Sequence, residues 1–393
     1  MSPSFSSHRK PRVCFIVESG TDVRLVDGMA ERFDLTVLAR KISDGVEISQ
    51  PPSRPLKIVI GLPSRAGFAR LVLSFLWTRR LDFDHVLVQG YGIAALAANL
   101  VGRLRKIPTT MLVCSPVEAY YRCRAINPVD KNRRFLRREL ILLELIARVN
   151  ACLGMRYVVL SQYLLEVVRG HGASKPVHIV PIYGVDTKLF HPTMESKSAI
   201  KIRCGLPVTG SIIFFSSRVA PEKDAETLLA AVRLLMDAGR ELWLLHRSGG
   251  YETLIKWARI FGIEERVIAT AAVHPQKGLV DDYRASDLCV QASREEGLGF
   301  SVLEAMACGV PVIAADIGGL RETVLQGSTG WRYPVGDSVS LADCIAAVID
   351  DPVEAKRRGA EGRKMVCQRF NRDFAFSQLE DILGAINGEV SSI

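Results

Sequence analysis

The sequence predicts an α/β protein of two tandem Rossmann-like, doubly wound domains facing a central cleft, and three observations lead to that class. Short runs rich in Val, Ile and Leu alternate with stretches of helical period along the chain, which is the pattern of strands joined by crossover helices. The runs are apolar throughout instead of alternating, as in parallel sheets covered on both faces. With 393 residues the chain is long enough for two domains with separate cores.

In the first half the strands are expected at RVCFIV, DLTVLA, KIVI, HVLVQ, TTMLV and YVVLS, and in the second at SIIFF, ELWLL, RVIAT, DLCVQ and PVIAA. Between the two series the stretch 180–207 replaces the periodic pattern with prolines, Gly184 and polar residues, the composition of a linker. The expected division is 1–190, 191–370 and a last helical stretch 371–393 with too few strands around it to form a third domain. Two such sheets present the C-terminal ends of their strands to ligands.

Composition narrows the class of protein. A chain with 48% hydrophobic and 24% charged residues is neither disordered nor collagenous. Its nine cysteines form no C-x-x-C and no paired His/Cys spacing, so neither a disulfide framework nor a metal site is expected. The first residues lack the apolar core of a signal peptide, and 140–160 is interrupted by Glu144, Arg148, Asn150 and Arg156, so the chain is expected in the cytoplasm with no span across a bilayer. Net charge is +9, yet residues 1–190 hold 28 Lys and Arg against 15 Asp and Glu, leaving 23 against 27 for the rest. The basic half suits a polyanion or an anionic membrane surface, and also a merely solvated exterior.

The chemistry concentrates in SREEGLGFSVLEAMACGVPVIAADIGGLRE, residues 293–322. After the strand DLCVQ the chain is expected to turn and enter a helix near Phe300 that Gly309 and Pro311 stop. Glu296 then sits in the turn and Glu304 in the second helical turn. Gly297 and Gly299 let backbone approach a ligand closely, and a helix start attracts anions. Carboxylates repel phosphate but accept hydrogen bonds from hydroxyls, two at a time from a diol, so phosphate-binding amides beside two acids suit a nucleotide sugar. The same acids also fit a helix-start charge interaction and a solvated helix position. In SIIFFSSRVAPEKDAETLLAAVRLL, Arg218 and Lys223 stand five residues apart at the end of a strand, where cations stabilise a departing diphosphate.

These stretches, SSRVAPEKDAETLLAA, IVPIYGVDTKLFHP and ASREEGLGFSVLEAMACGVPVIAADIGGLRETV, resemble the signature regions of the retaining glycosyltransferases of family four over about residues 178–350. The resemblance implies the GT-B fold, with an acceptor-binding domain over 1–190, a nucleotide-sugar-binding domain over 191–370, and a final helix over 371–393 that returns to the first. It implies catalytic roles for Glu296, Arg218 and Lys223. Glu296 would contact donor-sugar hydroxyls, Glu304 the ribose diol, and the amides of Gly297, Leu298, Gly299 and Phe300 the diphosphate. In the weaker echo SGTDVRLVDGMAERFDLTVLAR, Gly20 is read as substrate-binding, as is Ser115, with Glu118 nearby, in VCSPVEAYYRCR.

The implied activity is metal-independent, retaining hexosyl transfer without a cofactor. The donor is UDP-linked or GDP-linked, and the acceptor a polysaccharide, a lipid-linked glycan or a glycolipid in envelope biosynthesis. The alternative is a non-transferring nucleotide-sugar enzyme, an epimerase or hydrolase, on the same fold. One departure is HRSGGYE, where the family often has Gly-Asp-Gly.

The helix expected over 130–150 carries Arg133, Arg134, Arg137 and Arg138 beside an apolar stripe of Leu136, Leu140, Leu143 and Ala147. With RLVLSFLWTRR it suits either docking on the inner face of a cell membrane or a core-facing helix with a solvated back. No nucleic-acid partner is expected, since no interleaved aromatics or DNA-binding motif stand out.

Overall fold

The computed structural model describes residues 9–42, 45–126, 133–273 and 278–384, with the side chains of 124–126 and 133–137 also left aside. The chain separates into two compact units. The first comprises residues 1–115, 137–183 and 375–393, and the second 116–136 and 184–374.

The first unit holds β1 (Arg12–Val17), β2 (Asp34–Ile42), β3 (Gly45–Val46), β4 (Lys57–Gly61), β5 (His85–Gln89), β6 (Thr109–Val113), β7 (Arg156–Val159) and β8 (Val177–Ile179). They form one sheet of order β3-β2-β1-β5-β6-β7-β8, with β4 also pairing β2 and every pair parallel except β2 with β3. Residues Val13 to Val17 of β1 are fully buried, as a central strand covered on both faces requires.

The second unit holds β9 (Ser211–Phe215), β10 (Leu242–Arg247), β11 (Val267–Thr270), β12 (Leu288–Gln291), β13 (Val312–Ala315) and β14 (Trp331–Tyr333). All pairs are parallel, in the order β11-β10-β9-β12-β13-β14. Strand order reverses between β9 and β12, so the loops leaving their C-terminal ends diverge and open a crevice there. Packed against the sheet, Leu228, Val232, Leu341 and Ile345 come from helices Ala225–Asp237 and Ser338–Asp350.

Three chain segments depart from a simple division at 190. The boundary falls between Tyr183 and Gly184, and residues 116–136 group with the second unit although they follow β6 of the first. Helix Val117–Ile126 packs on the Pro221–Lys223 turn. Within the second unit Val185 N–H donates to Phe370 O at 2.7 Å and Arg372 N–H to Val185 O at 2.9 Å. A Cβ on Gly184, whose φ is +56°, would meet the carbonyl carbon of Asn371 at 2.7 Å, so this close passage requires glycine.

From Ala375 onward the helix Arg372–Gly384 belongs to the first unit. The Phe376 ring fills the space a Cβ at Gly28 would take, 2.0 Å from its Cζ, while Arg32 pairs with Glu380 at 3.0 Å and Arg156 donates to Ile382 O at 2.5 Å. The fully buried Phe376 is the anchor. Phe376→Ala is expected to cost about 3–5 kcal/mol, read as a lowered denaturation midpoint, since no neighbour can fill so large a cavity.

Candidate active site

Parallel strands deliver all their following loops to one edge. In the second unit these are the segments 216–224 after β9, 248–250 after β10, 292–299 after β12 and 316–319 after β13. Their close packing needs glycine at two points. Gly299 has φ +90° and a Cβ there would lie 2.6 Å from Leu320 Cδ2; a Cβ on Gly319 would lie 2.1 Å from Gly297 O. Gly319 N–H donates to Glu296 O at 3.0 Å, tying the segment after β13 to the one after β12.

Lys223 and Glu296 meet in this edge, Nζ to Oε2 at 2.5 Å, each side chain 12% exposed. The same Oε2 accepts from Gln291 Nε2 at 3.1 Å and from Ser293 Oγ at 3.3 Å. Gln291 is itself set by Ser217 and Ser301, whose hydroxyls donate to its Oε1 at 2.9 and 2.7 Å. One carboxylate oxygen thus gathers three donors from both sides of the strand-order reversal. Arg218, 56% exposed, donates to the buried Glu222 at 2.7 Å. Arg294 pairs with Asp224, the left-handed residue that starts helix Ala225–Asp237, at 3.0 Å.

Glu304 lies in the helix Phe300–Ala307 and is buried. Tyr283 Oη donates to its Oε2 at 3.0 Å and lies 3.0 Å from Ser216 Oγ. Burial, and after it the Glu304 charge, push the Tyr283 phenol well up, so it stays a neutral donor. Tyr120, from helix Val117–Ile126, belongs to the same unit; burial, then the charges of Glu296, Glu222 and Glu295, push its phenol up as well.

The structure therefore brings together Glu296, Lys223, Arg218, Glu304 and the run Gly297, Leu298, Gly299, Phe300. The helix Phe300–Ala307 begins immediately after the loop, so its positive end points into the crevice edge. Leu298 also anchors the loop by a buried side chain. Gly20 and Ser115 belong to the first unit. There Gly20 N–H donates to Glu47 at 2.8 Å and its carbonyl accepts from Gln89 at 3.1 Å. Glu118 is buried within the second unit's helix Val117–Ile126.

Sequence reasoning missed Gln291, Ser293 and Tyr283. Gln291 had a readable signal, a polar residue closing an apolar strand at its C-terminal end. Tyr283 had none, since nothing local in sequence marks a tyrosine that serves a distant acid. In the first unit Glu18 was missed too: at the end of β1 it accepts from Ala94 N–H at 3.0 Å, and burial raises its carboxyl above the usual range.

Residues 196–365 match the family described as Glycosyl transferases group 1. Anabaena HepE, solved in complex with UDP-glucose, superposes with a TM-score of 0.74 at 16% identity, covering 95% of this chain and 100% of that one. The fold is GT-B.

Among curated relatives, the D-inositol 3-phosphate glycosyltransferase of Xylanimonas cellulosilytica is 34% identical over 229 residues, 55% of this chain and 53% of that protein. The GDP-mannose-dependent monoacylated alpha-(1-6)-phosphatidylinositol monomannoside mannosyltransferase of Corynebacterium glutamicum is 31% identical over 233 residues, 57% of this chain and 60% of that protein. The chain spans about half the length of the curated relatives it matches. The group 1 match covers β9 to β14, the GT-B unit that holds Lys223, Glu296 and Glu304.

The glycine packing gives a direct check. Gly319→Ala is expected to lower stability by roughly 1–3 kcal/mol through overpacking against the Gly297 carbonyl. Gly249→Ala, whose Cβ would meet nothing closer than Arg218 Cβ at 3.9 Å, is expected to leave the denaturation midpoint within about 0.5 kcal/mol of the parent.

Proposed function

We propose that this chain is a retaining, metal-independent glycosyltransferase of family four. It moves a hexose from a UDP-linked or GDP-linked donor to a glycan, a lipid-linked acceptor or a glycolipid of the cell envelope. The observation that carries the reading is the buried Lys223–Glu296 pair at the strand-order reversal, with Arg218 on Glu222 in the same loop as Lys223 and Glu304 one turn into the following helix. The curated relatives named above are sugar transferases, one of them GDP-mannose-dependent, and HepE was solved with UDP-glucose.

In this reading the donor diphosphate lies over the start of helix Phe300–Ala307, between Arg218 and Lys223. The bond from the anomeric carbon to the diphosphate oxygen breaks, and the negative charge that gathers on that oxygen meets two fixed cations and the helix end. Those cations supply the charge that a divalent ion supplies in metal-dependent transferases. The leaving diphosphate takes the proton of the acceptor hydroxyl as that oxygen bonds to the same face of the sugar, so retention needs no protein nucleophile.

Glu296 is held by Lys223, Gln291 and Ser293, and its carboxylate accepts from donor-sugar hydroxyls. Glu304, oriented by Tyr283, accepts from the ribose diol. Much of the rate then comes from placing reactants and fixing charges before the reaction begins.

A nucleotide-release assay with candidate acceptors tests this. Removing both cations in Arg218→Ala/Lys223→Ala is expected to reduce kcat by about a hundredfold or more with an unchanged circular dichroism spectrum, and chelation by EDTA to leave the parent rate unaltered. Parent-level turnover in the folded double variant would contradict the assignment.

A further inference from the structure

Helices Arg65–Thr78 and Ile93–Arg105 of the first unit pack side by side, and the helix Arg133–Leu153, which belongs to that unit from position 137 onward, meets Ile93–Arg105 near its C-terminal end. Asn99 bonds Asn150 at 3.0 Å, and Arg103 donates to Cys152 O at 3.0 Å. Val72, Leu76, Ala98, Val101 and Ala147 are buried, so the residues opposite them face outward.

What faces outward is unlike an ordinary solvated surface. On the longest helix the exposed positions from 138 onward recur at three and four residues and include Arg138, Ile141, Leu142, Leu145, Arg148 and Val149. Ile141, Leu142 and Leu145 are each more than half exposed. The neighbouring helices add exposed Leu100 and Leu104, then Leu73 and Trp77, with the Arg105 guanidinium 4.8 Å above the Trp77 ring. Arg70, Arg103 and Lys106 are exposed beside them. Among the described residues, the exposed positions of these three helices carry no acid, and Glu139 and Glu144 are half-buried at the flanks of the outward face.

The sequence pattern suggested a stripe of Leu136, Leu140, Leu143 and Ala147. Ala147 is buried and Leu140 and Leu143 are half-buried, whereas a second stripe one position further round is the exposed one. Leu136 and the arginines at 133, 134 and 137 lie outside the described side chains. A solvated back would be polar, but this one offers aliphatic side chains interspersed with arginines.

We propose that this three-helix face adsorbs on an anionic lipid surface, aliphatic side chains entering the boundary between headgroups and acyl chains while the arginines and lysine meet lipid phosphates. No described helix is long and apolar enough to cross a membrane, so the contact is superficial. Charge complementarity selects this occupant: a face with cations and no exposed acid attracts a negative leaflet and repels a second copy of itself. The proposal is independent of sugar transfer, since it concerns only where the first unit rests.

Co-sedimentation of the full chain with vesicles of phosphatidylglycerol or of phosphatidylcholine tests it. The parent is expected to sediment with phosphatidylglycerol and not phosphatidylcholine, and to be released as salt rises to about 0.5 M. Arg138→Glu/Arg148→Glu is expected to weaken binding at least about thirtyfold, and Leu142→Asp/Leu145→Asp at least about tenfold, at unchanged thermal midpoints. Arg259→Glu, on the second unit, is expected to bind as the parent does. Should the leucine variant fail to fold, the arginine variant alone decides. Absence of parent binding to phosphatidylglycerol, or parent-like binding by the folded variants, would overturn the proposal. So would a concentration-dependent dimer that the leucine variant dissociates without any vesicle binding, which would make the face a contact between copies.

Discussion

An ammonium and a carboxylate taken out of water together, Lys223 against Glu296, constrain the whole C-terminal edge of the second sheet. Either charge alone would be costly at that depth, because the desolvation of a single buried ion exceeds what one neutral hydrogen bond returns. The pair is tolerable because Gln291 and Ser293 complete the carboxylate's partners and because Ser217 and Ser301 hold Gln291 in place. Such a network loses more than one bond when one member goes. It also joins β9, which leads to Lys223, to β12, which leads to Glu296. The strand-order reversal is thus bridged by side chains as well as by ladder hydrogen bonds.

The second constraint is proximity of backbone to backbone. Gly299 and Gly319 leave no room for a side chain, so the segments after β12 and β13 close on each other, and the helix Phe300–Ala307 starts where the carboxylates end. A site built this way is largely formed before any ligand arrives. Charge is placed by the network and shape by the glycines, which is the division of labour that electrostatic preorganisation requires.

Much of the fold was legible because parallel strands buried on both faces leave continuous apolar runs, and all eleven such runs are found as strands. What escaped was short or remote. β14 has three residues and β3 two, too few to show a period. Residues 116–136 follow β6 yet group with the second unit, a tertiary preference that chain order does not encode. In the site, Glu296 could be nominated because it sits beside a glycine and Arg218 and Lys223 because they follow a strand end, while Glu304, inside a helix, could be nominated as the second acid of the same glycine-containing run. Tyr283 sits in a helix of ordinary composition, and only the packing relates it to an acid. In the helix Arg133–Leu153 the stripe read from the sequence turns inward at Leu140, Leu143 and Ala147, as its core-facing reading had it, but the back is not the solvated one expected, since a second apolar face lies one position further round.

The most direct measurement is a crystal structure of the chain with a bound nucleoside diphosphate. The account predicts density over the start of helix Phe300–Ala307, with the terminal phosphate within hydrogen-bond distance of Lys223 Nζ and the ribose diol on the Glu304 carboxylate. A nucleotide bound elsewhere, with the Lys223–Glu296 contact and its surroundings untouched, would contradict it.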